Sequence, residues 1–139
     1  MPSWSLALVG ATCLHAGFQL TVTALVYPAL ARVEEARFAR AHALHSRAIV
    51  PLVALVYGLV VVAGLGAVIS RPTSLLAWAA GAASAVALGT TALRAAPLHG
   101  RLGWRGPKPA LVRSLLRADR VRTTFALLAV VPAVALALG

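Results

Sequence analysis

The sequence predicts an all-α integral membrane protein, one four-helix bundle spanning residues 1–139 as a single domain. Three observations predict it. Only 12% of the chain is charged against 60% hydrophobic, about half of the roughly one-quarter charge that a soluble domain carries on its surface. The apolar residues gather in four runs, each near the ~20 residues that cross a hydrocarbon core. Those runs are rich in Ala and Leu and show no alternation of period two, which argues against barrel strands.

The first span covers about residues 4–31. It reads as a span and not as a signal peptide, because no Lys or Arg precedes Arg32 and its uncharged stretch is too long for a signal h-region. Its lone cysteine, Cys13, rules out a disulfide framework, and Gly10-Ala11-Thr12-Cys13 is too loose a match for a lipidation box. The second span, 37–69, starts as an amphipathic helix ahead of its apolar run. At ~100° per residue Phe38, His42, His45 and Ile49 share one face, while Arg37, Arg40 and Arg47 point elsewhere. Ser70-Arg71-Pro72-Thr73 makes a tight connection, with Thr73 as the expected N-cap of the third span, 73–96. There Ala77, Gly81, Ala85 and Gly89 recur every fourth residue, a stripe fit for close helix contact. Residues 100–109 read as a loop from their Gly and Pro content. The fourth span, 111–138, puts Leu111, Leu115, Ala118 and Arg122 on one face with Asp119 at its edge, opposite Arg113, Arg117 and Arg120. Pro28, Pro51 and Pro132 fall in or at the ends of spans, where membrane helices tolerate kinks.

Charge sets the expected orientation. Arg32, Arg37, Arg40 and Arg47 lie in the first connection, and Arg94, Arg101, Arg105, Lys108, Arg113, Arg117, Arg120 and Arg122 in or beside the third. Of the 13 basic residues only Arg71 falls on the other side. The positive-inside rule places both long connections in the cytoplasm and both termini on the non-cytoplasmic side of a multi-pass inner-membrane protein. The net charge of +10 is therefore not a nucleic-acid footprint, because it is confined to segments flanking apolar runs.

Polar residues mark the candidate site. Thr12, His15, Gln19, Thr23 and Tyr27 fall on one face of the first span, with His15 near mid-bilayer, so this stripe should face the bundle. Arg122 on an apolar face needs an acceptor, which Asp119 or an anionic ligand can supply. Tyr27, His42, His45, Arg94, His99, Asp119 and Arg122 are expected to meet at the cytoplasmic end, with His15 and Gln19 extending the site inward. Two chemistries fit. His42, His45 and His99 are candidate ligands of a single zinc, iron or copper ion. With no cofactor at all, the same side chains can hold a phenolic, quinone-like or acidic lipophilic molecule and move protons. The plainer alternative is that the histidines bond across helices and the arginines hold anionic lipid headgroups. No phosphate loop, paired-cysteine motif or Ser-His-Asp set is present, and no Asp or Glu lies within an apolar run as a proton-coupled exporter would need.

Tyr27-Pro28, then Phe38, His42 and His45, then Pro97-Leu98-His99, then Arg120-Val121-Arg122-Thr123 form a pattern spread over most of the chain. It resembles the small four-helix bacterial membrane proteins related to the anthrone-oxygenase-like family. The resemblance implies oxygenation of polycyclic phenolic compounds without a bound cofactor, at a site holding His42, His45, His99, Arg122 and Tyr27. Arg94, Asp119, His15 and Gln19 would then contact substrate. The competing expectations are an accessory or assembly subunit of a larger membrane complex, and a small homodimeric transporter. Membrane lipids, a lipophilic small molecule and a second copy of the chain are the expected partners; nucleic acid is not.

Overall fold

The computed structural model describes residues 4–139 as four helices: α1 (Trp4–Ala31), α2 (Glu35–Ser70), α3 (Leu75–Arg105) and α4 (Pro109–Leu138). Among the described residues there is no strand, and all four helices are long and apolar enough to cross a membrane. Large apolar side chains such as Leu25, Leu55, Ile69 and Val131 cover the outside. In water that surface would be a liability, but against lipid it is the expected exterior.

Two helices contain a π turn, Val22–Val26 in α1 and Thr91–Ala95 in α3. In each the backbone N–H that closes the turn reaches back five residues, from Tyr27 to the Val22 carbonyl and from Ala96 to the Thr91 carbonyl. Each is followed two residues later by a proline, Pro28 or Pro97. A proline donates no N–H and its ring crowds the carbonyl four residues back. One extra residue in the preceding turn absorbs that conflict without ending the helix.

The Arg71 end of the bundle is packed through alanine. Ala77, Ala80, Ser84 and Ala87 of α3 are buried, as are Ala126, Ala129, Ala133 and Leu136 of α4, and these two helices make the most extensive contact in the molecule. Leu8 and Ala11 of α1 and Val60, Ala63 and Ala67 of α2 complete the cluster. The buried line on α3 corrects the stripe expected from the sequence: Ala77 belongs to it, but Ala85 is exposed. Four-residue steps advance ~400° and drift around the helix, whereas alternating steps of three and four stay on one face.

Other boundaries shift as well. The α3 N-cap is Ser74, whose hydroxyl accepts from the Ala77 N–H at 3.4 Å, and not Thr73. Residues 100–105 continue α3 instead of forming a loop; only 106–108 lie outside helix. Leu102 is buried with Leu115, Phe38 and Tyr27, and that burial outweighs the low helix propensity of Gly100 and Gly103. Gly106, at φ 73°, then ends the helix in a conformation that side chains resist.

Candidate functional site

The polar stripe of α1 faces the bundle: Thr12, His15, Gln19 and Tyr27 are buried and Thr23 is half-buried. Thr12 is satisfied within its own helix, donating to the Leu8 carbonyl at 2.8 Å. His15 packs edge-on to Tyr57 of α2, ring centres 5.0 Å apart, and neither of its ring nitrogens has a hydrogen-bond partner among the described residues.

Gln19 begins a directed line of hydrogen bonds. Thr91 donates to the Ala87 carbonyl at 3.1 Å, so in its 2.7 Å contact with Tyr57 the tyrosine hydroxyl is the donor. The Tyr57 oxygen therefore receives the Gln19 amide N–H at 3.2 Å. This fixes the orientation of the Gln19 amide. Its Oε1 remains a buried acceptor with no partner among the described residues.

A second line starts on α4. Asp119 and Arg122, one turn apart, are joined at 2.6 Å between Oδ1 and Nη2, with side chains 1% and 8% exposed. Thr23 donates to the other carboxylate oxygen at 2.7 Å, and since its one proton is spent there, Thr123 is the donor in their 2.8 Å contact. The acceptor needed by Arg122 is thus Asp119. Arg122 Nη2 also donates to the Tyr27 hydroxyl at 2.9 Å. Tyr27 meets His99 Nε2 at 3.2 Å, and His99 Nδ1 meets His42 Nε2 at 3.3 Å. Every contact is satisfied when Tyr27 donates to His99 and His99 donates to His42, leaving the His42 Nδ1–H toward Gly103. The π turns put Tyr27 and His99 on the inward side of helices whose register a continuous α-helix would rotate away. Phe38 stacks on His42 and holds the far end of the line.

The expected residues do not all meet. Tyr27, His42, His99, Asp119 and Arg122 form one connected network. His45 stands beside it, its ring centre 6.3 Å from that of His99. Arg94 does not join: it is exposed on the opposite side of α3 and lines a separate groove against α4. The π turn ends just past Arg94, and with Ala95 and His99 facing inward its own side chain must face out. Among the described residues no set of three or more His, Cys, Asp or Glu side chains is disposed to hold a metal ion. Tyr57 is the residue that sequence reasoning missed. Its signal was available, because it carries the only hydroxyl in the apolar run 49–69.

A cavity of about 580 Å³ opens between α2 and α3 at this end of the bundle. Its walls are mainly apolar, from Phe18 and Val22 of α1, Ile49, Val50 and Val53 of α2, and Ala95 and Ala96 of α3. Its polar lining comes from Gln19, Tyr27, Thr91, His42, His45, Ser46, His99 and Arg122. The mouth lies where α2 and α3 separate. There Trp104 is 94% exposed and Val50 62% exposed, so the rim is continuous with the apolar exterior. Arg122 contributes one further feature: its Nε–H is buried and has no partner among the described residues. Comparison with protein-family models, curated proteins and solved structures finds no match. The functional argument therefore rests on these side chains.

Proposed function

We propose that this chain is a multi-pass inner-membrane protein, its basic connections in the cytoplasm, whose cavity binds a lipophilic molecule with a phenolic or quinone-like head. One observation carries the reading. A mainly apolar cavity has, among its lining side chains, one buried acceptor and one buried donor that have no partner among the described residues: Gln19 Oε1 and Arg122 Nε–H. Burying such atoms without a partner costs about 1–3 kcal/mol each. A hydroxyl on an apolar body has both complements, an oxygen to accept from Arg122 and a proton for Gln19, once the two side chains turn toward the cavity. A quinone carbonyl answers only the arginine, so the reduced, phenolic form is favoured.

The resemblance to anthrone-oxygenase-like proteins points toward polycyclic phenols, with dioxygen as the oxidant in any oxygenation. The side chains' own contribution would be electrostatic and acid–base. The Arg122 guanidinium would favour a phenolate; if the phenol hydroxyl turns from Gln19 to the Tyr27 oxygen, its proton passes to Tyr27 as the Tyr27 proton moves to His99 and the His99 proton to His42. The rival readings receive less support. Ala77, Ala80 and Ala87 of α3 pack inside the bundle and not on its lipid-facing side, and His15 is buried outside the cavity's lining.

Binding of a tritiated alkylphenol to the detergent-purified chain on scintillation beads tests the proposal. Saturable binding is expected, competed about tenfold better by unlabelled phenol than by its methyl ether, which lacks the donor. Gln19→Leu should erase that discrimination. Equal competition by the ether, or no saturable binding, would overturn the reading.

A further inference from the structure

A second cavity, of about 570 Å³, lies between α3 and α4 on the far side of α3 from the first. It is lined by Arg94 and Arg101 from α3 and by Arg117 and Ser114 from α4. Seven residues separate the two α3 arginines, two turns on one face, and Arg117 completes a triangle from the neighbouring helix. The chain has three acidic residues, Glu34, Glu35 and Asp119. Among the described residues the ion pairs are Arg37–Glu34 and Arg122–Asp119, so no carboxylate pairs with any of the three groove arginines. The position is equally specific. Arg94 stands at the edge of the apolar run 73–93, and Leu93 and Val121, both exposed, line the apolar side of the same groove.

We infer that this groove is a binding site for the phosphate headgroup of an anionic phospholipid, with an acyl chain lying over Leu93 and Val121. Arginine suits the role because its planar fork pairs with two phosphate oxygens at once. Basic pockets between helices at the membrane boundary attract such headgroups. The apolar flank separates a lipid from a soluble phosphate, which would have no use for it. The site is independent of the phenolic cavity, and neither reading depends on the other.

Native mass spectrometry of the full chain, titrated with phosphatidylglycerol or phosphatidylcholine of matched acyl chains, tests the inference. One phosphatidylglycerol retained in preference to phosphatidylcholine is expected, with the preference falling about fivefold for each groove arginine replaced by glutamine. Single variants R94Q, R101Q and R117Q keep the measurement interpretable if the triple variant does not fold. The control R37Q/R40Q/R47Q removes equal charge from exposed positions elsewhere and should leave the preference intact. Equal retention of both lipids would overturn the inference, as would equal loss in the control. Displacement of phosphatidylglycerol by millimolar inorganic phosphate would also overturn it, assigning the groove to a soluble anion.

Discussion

At the Arg71 end the helices touch through alanine, with Ala77, Ala80, Ala129 and Ala133 fully buried and the backbones close. At the basic end α2 and α3 stand apart around a cavity, and the gap is bridged by side chains as long as Tyr27, His99, His42 and Arg122. The difference shows how one short bundle can be both closed and open. At the closed end, close van der Waals packing supplies the stability that lipid, being as apolar as the core, does not. At the cavity the helices diverge, and hydrogen bonds that reach across the gap fix their separation; on the proposed function this is where a ligand would enter. The proline-linked π turns sit at this divergence.

The largest effect should come from the ion pair that anchors the open end. Asp119→Ala leaves Arg122 charged, buried and without its carboxylate. Loss of one partner of a buried pair costs about 3–5 kcal/mol. Unfolding in mixed micelles with increasing SDS measures it. Replacing both residues together, Asp119→Leu with Arg122→Met, should recover much of the loss because no charge is left stranded. If the single variant unfolds like the parent, the pair does not hold the open end.

Legibility in the sequence followed the same division. Four spans and an inward polar stripe could be read because apolar runs and ~100° periodicity are local properties of the chain. Asp119 could be read as one of two candidate acceptors for Arg122, since i and i+3 share a face, but the choice between it and an anionic ligand could not. Tyr57 was not read as part of the site, because its role depends on α2 facing Gln19 of α1, a contact between residues 38 apart. Arg94 was misplaced because the π turn that contains it is set by Pro97, which lies after it in the chain. The helical continuation through 100–105 was hidden for a related reason. Burial of Leu102 against Leu115 is a tertiary effect, and Gly100 and Gly103 argue locally against it.

A smaller effect, of about 1–3 kcal/mol, is expected from overpacking the closed end. Ala80 is fully buried between helices, so Ala80→Leu must push α3 off its neighbours. Val53→Leu adds one methylene at a wall of the cavity, where there is space to take it. Its cost should stay below about 0.5 kcal/mol. The SDS-unfolding midpoints of the two variants compare the halves directly. Equal midpoints would mean that the closed end is no more tightly packed than the open one.

The smallest effect tests where the closed end stops. Gly66 of α2 lies beneath the Trp4 indole, and a Cβ built there would run into the ring. Close packing of this kind normally makes glycine irreplaceable. Here the obstacle is a side chain in the first turn of α1, and Trp4 is itself 44% exposed. The indole can swing outward into the lipid interface, a region that suits tryptophan. Gly66→Ala also gains the helix propensity that glycine lacks, about 1 kcal/mol in the opposite direction. The two effects should nearly cancel, leaving the unfolding midpoint unchanged while the Trp4 emission shifts as the ring leaves its seat. Trp78→Phe and Trp104→Phe backgrounds isolate that signal. A midpoint that falls as far as in Ala80→Leu would show that the Trp4 seat belongs to the rigid alanine-packed core and not to its margin.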